Sequence, residues 1–454
     1  MYTFRLREAY WSTHKDTPWE EPQKVTAQDF LFGIQRTLMP STGSVLAEQL
    51  YGIRGARDVH EGKAPLSQLG VRALDESTLE ITLTAPDSRF PETAAGTPFM
   101  PCNEAFFEST GGRYGLEVAT VLGNGPFFLD RWNHGQNLLL RKQESYHGAA
   151  DILPAAVRYV MEEAQDPVAT LEGGGLDAAP LLPGQLALAG EKGIHIVELD
   201  DTIQYIWLNN SVQELSSAGV RRALRDGLEW EAVLAQTDPD HTVPATGFAA
   251  PAAIAPDGEA YRREDNARRP ADRRKEAKGE MEAALQAMEK DALPRMTLLC
   301  ADDDASIRLA RYVIQSWQKN LSLYCGMQEL PADQLTARVA AGNYQIAISA
   351  ATAPGEKAVD AFAAFSGTAA KGNLARFSSE AYDALLTQAG SNPDRTLLDR
   401  LEQKLVEECP SIPLCFVTRY FGVGGTVSGV TIRPFGGGSY GSEIDFRRAG
   451  KLDD

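Results

Sequence analysis

The pattern Gly-x-Ser-x-Gly occurs at Gly437-Gly438-Ser439-Tyr440-Gly441. A serine in that setting becomes a nucleophile when it sits on a strand-to-helix turn and an acid, then a histidine, follow it in the chain. Asp445 follows, but the last histidine is His241, so the triad order cannot be completed and a glycine-rich turn is the simpler reading. A hydrolase acting through Ser439 is kept as a rival class, discriminated by an active-serine probe and by Ser439→Ala. The six histidines (His14, His60, His134, His147, His195, His241) show neither His-Glu-x-x-His nor any paired metal-ligand spacing. Cys102, Cys300, Cys325, Cys409 and Cys415 form no Cys-x-x-Cys and read as small buried residues. Gly173-Gly174-Gly175 and Gly436-Gly437-Gly438 lack the Lys-Ser/Thr of a phosphate loop. No catalytic residue, metal ligand set or cofactor is therefore assigned.

The chain has 454 residues, enough for two or three lobes with a substantial core. Its 62 acidic against 44 basic residues give a net charge of −18, which repels nucleic acid and anionic membranes; no nucleic-acid partner is expected. No apolar run approaches the ~18 residues of a membrane span. Residues 1–7, Met-Tyr-Thr-Phe-Arg-Leu-Arg, alternate like a strand and lack the basic-then-apolar build of a signal peptide.

The elements that would position a site follow from periodicity. Thr26 opens a helix, with Asp29 at its positive end and Phe30, Ile34 and Leu38 at helical spacing. Hairpins are expected around Asp75-Glu76-Ser77 and around Asn133-His134-Gly135. Ile194 to Asn209 is strand-like. The helix after it carries Val220, Leu224 and Leu228 on one face and Arg221, Arg222 and Arg225 on the other. Residues 257–280 are charge-rich and read as an exposed connection leading into a helix at Met281–Met288; their Arg pairs (262/263, 268/269, 273/274) read as solvated surface. Strands and helices alternate thereafter: a strand at Met296–Cys300, a helix over 306–319, a strand at Gln345–Ser349, a helix at Tyr382–Leu386 and another over 396–408. That alternation points to α/β lobes.

Several segments, taken in order, resemble the oligopeptide- and dipeptide-binding proteins of ABC importers (extracellular solute-binding protein family 5). They are Tyr2–Arg7 (YTFRLR), Val25–Phe30 (VTAQDF), Glu61–Pro65 (EGKAP), Leu69–Asp75 (LGVRALD), Thr78–Leu83 (TLEITL) and Asn124–Phe127 (NGPF). Val220–Leu224 (VRRAL), Ile314–Leu321 (IQSWQKNL) and Cys409–Leu414 (CPSIPL) complete the set.

The resemblance implies an α/β, two-lobed, periplasmic-binding-protein-like clamshell (type II) with an additional small α+β domain. Residues 1–117 correspond to the accessory domain, 118–210 with 422–454 to the first lobe, and 211–421 to the second. Its implied function is extracytoplasmic delivery of peptides or peptide-like ligands to an ABC permease, as a monomer and without catalysis. The alternative is a peptide receptor or sensor on the same fold. Ahead of Tyr2 the family's opening segment, export signal and lipid-attachment cysteine have no counterpart. The chain thus reads as a truncated form, with an unpaired sheet edge and an exposed apolar face expected in the first lobe. Peptide binders carry a Gly-Trp-x-Ala-Asp-Tyr motif whose Asp pairs with the peptide ammonium. Here the corresponding stretch, Ile348 to Lys357, lacks the Trp and the Asp, and Glu356 or Asp360 are the nearby substitutes. On the strand entering the second lobe, Thr202 and Gln204 are candidates for hydrogen bonds to ligand and Tyr205 and Trp207 for stacking. Alternation leaves open that the two aromatics fill the core instead. Asn124-Gly125 is assigned to the interlobe turn, on the conformational freedom of glycine.

Overall fold

The computed structural model describes residues 1–12, 19, 21–44, 46–87, 90–161, 165–237, 241–263, 273–367, 372–391, 393–435 and 443–451. Strand β1 (Tyr2–Arg5) pairs antiparallel with β3 (Thr78–Ile81), which also pairs with β2 (Val71–Asp75) as the expected hairpin. The Ala27–Leu38 helix covers this sheet, burying Ile34 and Leu38 with Leu79 and Ile81. Its start is as read: the Asp29 carboxylate accepts the Thr26 backbone N–H at 2.7 Å, supplying a partner that a helix start needs. Burial pushes that carboxyl upward, against the hydrogen bonds from Thr26.

A second antiparallel sheet holds β4 (Phe127–Asn133), β5 (Asn137–Lys142) and β6 (Ala156–Val160). Its apolar residues, Phe127 to Leu129 and Leu138 to Leu140, are half-buried and join none of the buried clusters among the described residues. Tyr159 and Val160 on the outer strand are exposed.

The largest sheet contains β7 (Ala178–Leu181), β8 (His195–Leu208), β9 (Thr242–Pro244), β10 (Met296–Ala301), β11 (Cys325–Leu330), β12 (Ile346–Thr352) and β13 (Ser411–Val423). Its order is β11-β10-β12-β8-β13-β7, with β9 also on β13. Two strands are long, β8 with 14 residues and β13 with 13, and they run antiparallel across the middle. One end of this pair packs Leu199, Val423 and Ile432 together. The other lies between two larger cores, because a strand shows alternate side chains to opposite faces. Tyr205 and Trp207 belong to the core with Phe248 and Phe362, and Ile206 and Leu208 to that with Val220 and Trp317. β8 and β13 thus run through one continuous sheet that carries both of these cores.

Arg221, on the helix face opposite Val220 and Leu224, is buried, and its guanidinium donates to the carbonyls of Leu215, Ser216, Glu408 and Cys409 at 2.7–3.2 Å. Arg222 donates to the Glu407 carbonyl and Arg225 to that of Val406. Three cations thus cover the carbonyl end of the Arg395–Glu408 helix, where orphan acceptors and the negative dipole end favour positive charge. The 257–280 segment is not a bare connection. Tyr261 is fully buried, Arg262 pairs with the buried Glu402 at 2.6 and 2.9 Å, and the next helix begins at Arg274 rather than Met281. Arg268 and Arg269, like Ser439 and its flanking glycines, lie outside the described residues.

Candidate ligand-binding site

β8 and β13 change register between Pro413 and Cys415 and again between Val417 and Arg419, and the second shift is the junction around which the candidate site is built. Two acidic residues of β8 meet it from opposite faces. Asp200, exposed, accepts from the Thr418 hydroxyl at 2.6 Å. Asp201, fully buried, accepts from Arg419 Nε at 3.0 Å and Nη2 at 2.5 Å, from the Phe435 backbone N–H at 3.0 Å and from the Thr202 hydroxyl at 3.0 Å. A buried carboxylate is tolerated when its lone pairs are used in this way. Phe435 has a left-handed backbone, φ 55°, and its side chain lies in the second-lobe core, although Ile432 packs with the first-lobe residues.

The candidates gather around this junction to different degrees. Thr202 is buried, and its hydroxyl also lies 2.8 Å from that of Thr352, its cross-strand partner on β12. The segment after β12 returns alongside: the Ile254 N–H donates to the Glu356 carbonyl at 2.8 Å, and the Ala252 N–H to the Asp200 carbonyl at 2.9 Å. Glu356 is exposed. Asp360 is engaged at the start of the Ala358–Ala363 helix, accepting the Lys357 N–H at 3.3 Å. A Cβ at Gly355 would stand 2.4 Å from its Oδ2, so the turn allows the carboxylate to sit there only because residue 355 has no side chain. Gln204 is half-buried, with Cys415 Sγ 3.4 Å from its Oε1.

Tyr205 and Trp207 take the core alternative. They are 5% and 4% exposed, stacked near Phe248 and Phe365, and the Trp207 indole N–H donates to Ser349 Oγ at 3.0 Å. Asn124 and Gly125 precede β4. Gly125 is not among the glycines with positive φ, so the reason offered for it at that turn does not apply. Asp201, Arg419, Thr352 and Phe435 were missed. A carboxylate inside an apolar strand run was the one signal available for Asp201, since such a group must find partners. Among the described residues no His/Cys/Asp/Glu cluster suits a metal ion, and no helix is long and apolar enough to cross a membrane.

Known proteins share this architecture. The dipeptide-binding protein DppE of Bacillus subtilis is 24% identical over 442 residues, covering 96% of this chain and 79% of its own. The structure of Listeria monocytogenes OppA bound to peptide superposes with a TM-score of 0.77 at 18% identity, over 100% of this chain and 87% of that one. Two structures of the Escherichia coli murein tripeptide binding protein MppA cover 94% of this chain and 83% or 84% of theirs, at 23% and 21% identity. Their TM-scores are 0.73 and, for the unliganded open form, 0.59. The model of the bacterial extracellular solute-binding proteins, family 5 (middle region), matches residues 1–373. With a match over most of its length, and with two halves joined by crossing strands, this chain belongs to the bacterial extracellular solute-binding proteins of family 5.

Proposed function

We propose that this chain binds peptides or peptide-like ligands between its two halves, outside the cytoplasmic membrane, and hands them as a monomer to an ABC import permease. Binding alone is the activity, since a ligand is held by the differential stability of the closed arrangement. The observation that carries this reading is the family match over residues 1–373, together with relatives whose names specify peptides. Of the two acidic candidates, Glu356 is the better partner for a ligand ammonium, because the Asp360 carboxylate is already used at a helix start. Thr202 and Gln204 supply the neighbouring polar groups. Calorimetry and small-angle scattering with a pool of short peptides test it. Heat of binding with a more compact scattering profile is expected. Neither change with the pool, alongside binding of only a sugar or a metal chelate, overturns it.

A further inference from the structure

Asn124-Gly125, immediately ahead of β4, is the single Asn-Gly dipeptide in the chain. It spans two anchors. On its near side the Ser12 N–H donates to the Gly123 carbonyl at 2.7 Å, the Gly123 N–H donates to Ser12 Oγ at 3.3 Å, and Leu122 packs with Trp11 in a small buried core. On its far side the Gln143 N–H donates to the Pro126 carbonyl at 2.9 Å, and Gln143, which is buried, also donates from Nε2 to the Tyr10 carbonyl at 3.1 Å. Between these anchors the dipeptide belongs to no helix or strand and is half-buried. Among the described residues, neither the Asn124 side chain nor the Gly125 N–H makes a hydrogen bond. Other asparagines are held. Asn209 is 2% exposed and donates to the Gly342 and Tyr344 carbonyls, and Asn373, 3% exposed, donates to those of Ser366 and Phe377.

We propose that Asn124 is a self-modification site, converted without an enzyme to isoaspartate and aspartate through a succinimide. The Gly125 nitrogen, once its proton is lost to water or hydroxide, attacks Asn124 Cγ. A bond forms between them, the bond from Cγ to Nδ2 breaks, and ammonia leaves with a proton taken from solvent. Water then opens the ring. Cleavage at Cγ gives aspartate, and cleavage at the main-chain carbonyl carbon gives isoaspartate, whose chain runs on through Cβ and Cγ. Two features of this place favour the step. Ring closure needs an N–H free to ionise and a backbone free to turn, and no hydrogen-bond ladder fixes either here. It also needs an unobstructed nitrogen, and residue 125 has no Cβ beside it. Isoaspartate adds one carbon to the main chain between the Gly123 and Pro126 anchors, together with a carboxylate, so the modified chain holds the Tyr10–Ser12 segment less firmly against β4.

Peptide mapping of the full chain, aged in mildly alkaline buffer with and without urea, tests this. The native chain should gain the mass of an amide-to-acid exchange at residue 124 before any other described asparagine. Its rate should lie within about tenfold of that in urea, because an unpinned segment reaches the reactive shape without global unfolding. Isoaspartyl methyltransferase should then label the same peptide. Gly125→Ala is the control. Gly125 has no positive φ and a Cβ there would meet nothing within 4 Å, so alanine fits the fold. The variant's rate should fall about tenfold, or about 1.4 kcal/mol on the barrier. The Ser12 N–H should exchange faster with deuterium in the aged wild type than in the equally aged variant. A native rate more than about tenfold below that in urea, first conversion at another asparagine, an undiminished rate in Gly125→Ala or unchanged Ser12 exchange would each overturn the proposal. Asn124→Gln supplies the same control should the alanine variant fail to fold.

Discussion

Asp201 and Arg419 form a two-point ion pair across β8 and β13 at the second of two places where the pairing of these strands slips by one residue. The carboxylate is wholly enclosed and also takes the Phe435 N–H, so one side chain ties both long strands to the segment leaving the first half.

Asp201→Asn should therefore cost about 2 kcal/mol of stability, since it removes the charge that the enclosed oxygens share with Arg419, whose own side chain still reaches water. Urea unfolding monitors it. Asp200→Asn, at the neighbouring exposed position, should stay within about 0.5 kcal/mol, and equal losses in the two variants would refute the role given to Asp201.

Arg221 is expected to behave as a structural residue despite its charge. Arg221→Met strips the carbonyls of Glu408, Cys409, Leu215 and Ser216 of their donor and should destabilise by about 3 kcal/mol, chiefly through the unsatisfied acceptors. Arg222→Met, whose single bond goes to one carbonyl, should cost less than about 1 kcal/mol. Thermal unfolding of the two variants ranks them.

Cysteine chemistry offers a direct reading of burial. Enclosure pushes the thiols of Cys300 and Cys325 up to about 11 and that of Cys415 up to about 12. At pH 8 these groups hold on the order of one thiolate per thousand molecules or fewer. A neutral aromatic disulfide reagent should find these three thiols nearly inert in the folded chain and all five cysteines reactive in urea. Rapid native reaction at any of the three would contradict the packing described.

Asp257 should stay ionised well into acid. Arg395 donates to both of its oxygens, at 2.6 and 2.9 Å, which holds the carboxyl down at about 2 from an ordinary 3.8. A carboxylate lowered in the folded state stabilises it fully above the unfolded value and loses that effect as pH falls through the folded one. The contribution is thus present above about pH 4 and fades toward pH 2. A carbon-detected NMR titration of Asp257 would show a midpoint near 4 if the Arg395 contact were absent in solution.

Ligand recognition gives the sharpest single-residue test. Glu356→Gln should weaken a free-amino peptide about tenfold, or about 1.4 kcal/mol, as expected for a charge-assisted contact that closure partly shields from water. The same peptide with an acetylated amino end should bind wild type and variant alike. A drop of similar size for both peptides would assign Glu356 to the lobe surface and not to the ammonium.

Local patterns made much of the fold legible. Thr26 and Asp29 marked a helix start, the two hairpins followed from alternation around short polar turns, and the Ile194–Asn209 run became the longest strand. What stayed hidden depends on partners far along the chain. Arg221 reaches carbonyls 187 and 188 residues away, and Arg262 reaches Glu402 across 140. A charged residue without its distant partner reads as solvated, and that is how Arg262 was placed. The site shows the same division. Alternation separated Gln204 from Tyr205 and Trp207, but which face of the strand would be covered depended on Phe248 and Phe365, and nothing local connects them to β8.

The seating of Phe435 stitches the molecule together a third time. Ile432 is held by one half and Phe435, three residues on, by the other, so the stretch between them acts as a short leash beside the paired strands. Swinging the halves apart must either draw the phenyl ring out of its socket or stretch that leash. A residue outside both long strands thus fastens one core to the other.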